Sequence, residues 1–271
     1  MAPTIQEYLK LSNLQMAAEA FLVNPDGSRK ADIPGALKEG NGHASRFTAT
    51  QAAAFAGQWE VLDQRANTST GFSGTLFKAI KDDTALGIKK DDLVLSFRST
   101  EFIDDAARDN EATNTQEIFK FGFAFGQLSD MEAWYVELAK EGGPLHGKTF
   151  SVTGYSLGGH LATAFNLMHP GVADRVVTFN GAGVGKVGNG SLEDTYDKLP
   201  RMVARFQELR DQARDTGGLE AIFTSPEALA VYRAIKRLIA ANGGVPTAAM
   251  DSAIPRSDWE SLSAVAKQEL I

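Results

Sequence analysis

The residues best placed to do chemistry lie between Phe150 and Ala162, which read Phe-Ser-Val-Thr-Gly-Tyr-Ser-Leu-Gly-Gly-His-Leu-Ala. A β-prone run, Phe150 to Thr153, meets Gly154-Tyr155-Ser156-Leu157-Gly158 and passes at once into an apolar helical stretch. A Gly-x-Ser-x-Gly between a strand and a helix holds its serine on a sharp turn with the hydroxyl exposed. Gly154 and Gly158 bring no Cβ to that turn, and Gly159 lets the following helix approach the sheet. The chemistry predicted is acyl transfer from an ester, with Ser156 as nucleophile.

Such a serine needs donors aimed at the oxygen that becomes negative in the tetrahedral intermediate. One is the backbone N–H of the next residue, Leu157, at the positive end of the helix. The other is expected from the loop after an earlier strand. Leu93 to Thr100 reads Leu-Val-Leu-Ser-Phe-Arg-Ser-Thr, and Thr100 offers a backbone N–H and a hydroxyl. The competing reading of Arg98 to Thr100 is a polar strand end.

These two segments together resemble the class 3 lipase family of α/β-hydrolases. The family pattern is a strand ending in Arg-Gly-Thr or Arg-Gly-Ser, followed later by Gly-x-Ser-x-Gly-Gly. The chain has Arg98-Ser99-Thr100, with serine in place of glycine, and a full match at Gly154-Tyr155-Ser156-Leu157-Gly158-Gly159. Val177-Thr178-Phe179-Asn180-Gly181 is similar to the next strand of the family. The resemblance spans about Asp92 to Gly185 and extends to lipase-like domains that open longer secreted bacterial proteins. It implies an α/β-hydrolase-like, mainly parallel sheet with helices on both faces. The implied reaction is hydrolysis of carboxylic esters of lipids, of triacylglycerol lipase or phospholipase A1 type. The alternatives are a small-ester or polyester esterase, and an inactive hydrolase-fold domain that binds lipid or a partner protein.

The family also implies a Ser–Asp–His triad in that chain order, which this sequence does not complete. Its four histidines are His43, His146, His160 and His169. His160 lies one helical turn beyond Ser156 and reads as a packing residue. His169 faces the negative end of the helix. His146 precedes the strand and falls at the opposite end of the sheet, and His43 sits in a loop. Asp194, Asp197, Asp211, Asp215 and Asp251 fall in or beside expected helices, and none is assigned as the acid. The expectation is a chain that carries nucleophile and oxyanion donors but lacks its last strands. The acid and histidine would come from the C-terminal remainder of the same polypeptide, after engineering or cleavage.

The elements that must position these residues follow from periodicity. Thr4 to Leu22 and Leu128 to Lys140 have helical spacing, and Thr50 to Trp59 is alanine-rich and helical. Asn24 to Gly42 reads as loop. Phe72 to Ile80 and Leu93 to Phe97 read as paired strands, and Arg175 to Phe179 as the strand after the Ser156 helix. Strand and helix alternation through the middle predicts an α/β sheet. After Asn180-Gly181 only helices are legible: one through Leu199 to Leu209, one opened by Ser225-Pro226, and one opened by Ser257-Asp258-Trp259-Glu260. The division expected is a core over 1–190 and a helical cap or lid over 191–271, with ordinary outer helices as the alternative.

Three further groups invite chemistry. Phe119, Phe121, Phe123 and Phe125 alternate and read as a wall of the core or acyl pocket. Asp104, Asp105 and Asp109 read as a solvated acidic stretch rather than a metal site. Trp134 and Tyr135 read as packing. No metal or cofactor is expected.

Across 271 residues, hydrophobic content is 43% and charged content 23%, enough for a packed core. The net charge of −7 and the lack of a basic stripe argue against a nucleic-acid partner. The expected partners are a lipid or other ester and a lipid–water interface. There is no cysteine, which excludes disulfides and thiolate metal sites. Residues 1–10 show no secretory signal pattern. Secretion through a C-terminal address is expected, with a cytoplasmic location as the alternative.

Overall fold

The structure is a computed structural model that describes residues 3–40, 46–65, 67–68, 70–99, 123–185, 187 and 190–215. Its elements in chain order are α1 (Ile5–Ala18), α2 (Ile33–Glu39), α3 (Ala49–Ala56), β1 (Trp59–Arg65), β2 (Gly74–Ala79) and β3 (Leu93–Phe97). They continue with α4 (Phe125–Ala139), β4 (Ser151–Tyr155), α5 (Leu157–Met168), β5 (Arg175–Phe179) and α6 (Leu192–Asp215).

Local chemistry starts most of the helices. Thr4 caps α1 and Thr48 caps α3, each in a reciprocal box with Glu7 or Gln51. Asp32 caps α2 by accepting the Gly35 N–H at 2.7 Å, with Pro34 in the first turn. Helix α2 lies inside the stretch read as loop. Its Asp-x-Pro start was a legible signal in a segment whose glycines and charges suggested otherwise. Helix α6 starts seven residues before its expected apolar face: the Ser191 hydroxyl accepts the Asp194 N–H at 3.1 Å, and Glu193 and Asp194 occupy the first turn.

The five strands form one sheet in the order β1-β2-β3-β4-β5. The expectation of a mainly parallel sheet is corrected to a mixed one. The β1/β2 and β2/β3 pairs are antiparallel, and β3/β4 and β4/β5 are parallel. The reason lies in the connections. β2 returns to β3 through a loop closed on itself by the Asp83–Ile88 bridge, whereas β4 reaches β5 through a crossover helix, α5. β1 was not anticipated. It is a polar edge strand, and a register shift between Val61 and Asp63 breaks the alternation that marks a strand.

Apolar residues pack on both faces. Leu93, Leu95 and Phe97 of β3 meet Leu128, Met131 and Trp134 of α4 and Leu161 and Phe165 of α5. Val94 of the same strand joins the opposite cluster with Leu11 and Leu14 of α1, Ala52 and Phe55 of α3, and Phe77. Strand alternation therefore feeds two cores separated by the sheet. Leu199 and Val203 of α6 belong to the first core. The beginning of the expected cap thus packs on α4 and α5, and residues 216–271 lie outside the described residues. Among the described residues no helix is long and apolar enough to cross a membrane.

Candidate active site

Strand β4 ends at Tyr155, and Ser156 follows with φ 52° and ψ −115°. That region is almost closed to residues with a Cβ, and holding a serine in it costs about 1–3 kcal/mol. The surroundings over-determine it. The Ser156 N–H donates to the Phe179 carbonyl of β5 at 3.0 Å. The Ser156 carbonyl accepts the N–H of His160 at 3.1 Å and of Ala182 at 3.2 Å. The Ser156 side chain makes no capping bond to α5, so its hydroxyl is not spent on the helix.

The glycines are there because backbone lies against backbone. A Cβ on Gly154 would stand 2.1 Å from the Gly158 carbonyl oxygen, and one on Gly158 would stand 2.2 Å from that of Phe97. A Cβ on Gly159 would stand 2.6 Å from Cα of Gly181. Three strand ends, β3, β4 and β5, are thereby pulled onto the first turn of α5. Leu157 opens that helix, where the first N–H groups have no intrahelical acceptor and the dipole is positive. Leu157 is thus adjacent to Ser156, as the oxyanion reading requires. Thr100, the other expected donor, lies outside the described residues.

What is described at the end of β3 is the approach to Thr100. The Arg98 N–H continues the ladder to the Ser73 carbonyl at 3.0 Å. The Ser99 N–H donates to Oε1 of Glu19 at 3.0 Å, and the Ser99 hydroxyl donates to Oε2 at 2.7 Å. Gln15 Nε2 donates to the same carboxylate at 2.9 Å. The Arg98 guanidinium lies 4.0 Å from the Phe21 ring centre, and its Nε is 4.0 Å from Glu19 Oε2. Glu19 is wholly buried, and that burial pushes its pKa up against the opposing pull of Ser99 and Arg98. Glu19 was missed at the level of sequence. The signal was a lone acid in the apolar run Met16-Ala-Ala-Glu-Ala-Phe-Leu22.

None of the described histidines is brought to Ser156 as a base. His160 is fully buried in α5. Its Nε2 accepts the Ala124 N–H at 3.2 Å, and its Nδ1 donates to the Gly183 carbonyl at 3.0 Å. A carbonyl can only accept and an amide N–H can only donate, so both ring nitrogens are committed and the tautomer is set. Burial lowers the His160 pKa to about 4. His169 caps the far end of α5, about 20 Å along the helix axis from Ser156, and pairs with Glu132 at 2.6 Å. His146 bonds the Ala139 carbonyl, in the connection that enters β4. His43 lies outside the described residues.

The acids are placed as the sequence suggested, in a helix. Asp194 pairs with Lys198 and Asp197 with Arg201 along α6. Asp211 is in the same helix, as is the backbone of Asp215, and Asp251 lies outside the described residues. Phe123, against the His160 ring, and Phe125, the first residue of α4, are core residues, whereas Phe119, Phe121, Asp104, Asp105 and Asp109 lie outside the described residues. Among the described residues no group of three or more histidines and carboxylates could hold a metal ion.

Comparison of the chain with protein-family models, with curated proteins and with solved structures returns no match.

Proposed function

We propose that the chain is the nucleophile-bearing part of an α/β-hydrolase-like serine esterase acting on carboxylic esters of lipids. The observation that supports this most is the Ser156 turn: a serine at φ 52° and ψ −115° between a parallel strand and a helix, held by glycines that admit no Cβ. A fold has little reason to keep a strained serine whose hydroxyl does not cap the helix where glycine would fit, unless the hydroxyl is used.

In this reading Ser156 Oγ attacks the ester carbonyl carbon as its proton passes to a histidine. The carbonyl electron pair moves onto oxygen, facing the N–H of Leu157 and the donors of Thr100. Collapse re-forms the carbonyl and expels the alcohol, which takes the proton from the imidazolium. Water then repeats the sequence on the acyl-serine and releases the acid. The histidine and its orienting acid are assigned to a further part of the same polypeptide, and His43 lies outside the described residues. Export from the cell accompanies this reading.

A second reading has one observation in its favour. The only histidine on α5 close to Ser156 in sequence, His160, has both nitrogens committed and a pKa near 4. That suits a hydrolase fold that binds without turnover. Intact mass before and after a fluorophosphonate, with Ser156→Ala as control, separates the two. A single adduct that depends on Ser156, on this chain or on a longer polypeptide containing it, supports the esterase. No adduct on either leaves the binding protein.

A further inference from the structure

Resting on the esterase reading, we infer that Glu19 is a positioning residue, whose carboxylate clamps the end of β3 at Ser99 and so sets the backbone that lies against the Ser156 turn. Three donors converge on this carboxylate: the Ser99 N–H, the Ser99 hydroxyl and Gln15 Nε2, at 3.0, 2.7 and 2.9 Å. Glu19 and Arg98 are both essentially without solvent exposure. A buried ion pair gains little stability over an apolar pair of the same volume, whereas several hydrogen bonds converging on one buried carboxylate select one local arrangement.

Both ends of the clamp are anchored. On one side Gln64 of β1 accepts the N–H groups of Leu22 and Val23 at 2.7 and 3.2 Å and donates to the Ala20 carbonyl at 2.9 Å and the Thr75 hydroxyl at 2.8 Å. The segment that follows Glu19 is thereby tied to the sheet. On the other side the Arg98 carbonyl oxygen would be only 2.8 Å from a Cβ on Gly158, so the clamped backbone is packed on the first turn of α5. The position where the resembling family has glycine carries Ser99 here, and its hydroxyl is one of the three groups the carboxylate holds. The serine hydroxyl and the buried acid form a matched pair.

The test uses Glu19→Ala, Glu19→Gln and Ser99→Ala in the preparation that the fluorophosphonate modifies. Glu19→Ala is expected to slow the maximal rate of Ser156 modification at least about tenfold, at unchanged half-saturating reagent. Glu19→Gln, which still offers Ser99 an acceptor, restores the rate to within about threefold. A merely structural role would lower the unfolding midpoint and leave the maximal rate alone. Should Glu19→Ala not fold, Ser99→Ala carries the same expectation with a smaller loss. Amide exchange at Ser99 is read in parallel, expected to be faster by about tenfold or more in Glu19→Ala while Leu22 and Val23 keep their protection. If the parent protein takes no adduct, the esterase reading fails and Ser99 exchange alone judges the clamp. Unchanged modification with unchanged Ser99 exchange overturns it.

Discussion

Gly158 faces the carbonyl oxygen of Phe97 so closely that a methyl group on its Cα would stand 2.2 Å away. This contact seats the first turn of α5 against the end of β3. Backbone cannot retreat here as a flexible side chain would. Gly158→Ala is therefore expected to lose at least about 3 kcal/mol, at the upper end of overpacking effects, and Gly154→Ala as much. Gly183→Ala is the control, because no described residue lies within 4 Å of a Cβ there. It should stay within about 0.5 kcal/mol or gain slightly through a stiffer unfolded chain. Urea unfolding midpoints of the three variants check this.

The Ser156 turn stores strain that glycine would release. Ser156→Gly is expected to be more stable than Ser156→Ala by about 1 kcal/mol, the relief of strain exceeding the entropy glycine loses on folding. Equal melting temperatures for the two variants would show that the turn is unstrained.

His160 makes stability depend on pH. Its pKa of about 4 in the folded protein lies below the ordinary value of 6.5. Between those values the unfolded chain takes up a proton that the native state refuses, so stability rises with pH across that window and is fully present above about 6.5. The slope contributed is about 1.4 kcal/mol per pH unit, or about 3 kcal/mol over the window. His160→Gln keeps a donor and an acceptor but does not titrate. Denaturant midpoints from pH 4 to pH 7 should flatten by that amount in the variant.

Trp134 ties α4 to the edge of the sheet. Its Nε1 donates to Asp63 Oδ1 at 2.7 Å, and its ring fills the space above Gly74, where a Cβ would meet Cζ3 at 2.5 Å. Trp134→Phe should cost about 1–2 kcal/mol for the lost bond to a carboxylate. Trp134→Ala should cost about 3–5 kcal/mol. Thermal unfolding monitored by far-UV circular dichroism gives both values. A Phe variant as stable as the parent would mean that Asp63 contributes nothing through the indole.

Features carried by short-range chemistry were legible in the sequence. Gly154, Ser156 and Gly158 between an apolar strand and an apolar helix announced the turn. Periodicity announced α1, α4 and α5. What depended on distant partners was not legible. β1 hid because its polar residues and its bulge at Val61–Asp63 make sense only beside β2. The antiparallel half of the sheet was set by how a loop closes, not by the composition of the strands. Glu19 read as a stray acid on an apolar segment because its partners, Arg98 and Ser99, are about eighty residues away in sequence. The sequence by itself determined which backbone must bend at Ser156, since only glycine lacks the Cβ that would prevent it. Only the tertiary structure decided what surrounds that bend, because a buried carboxylate, a committed histidine and a strand edge are each defined by groups that folding brings from elsewhere in the chain.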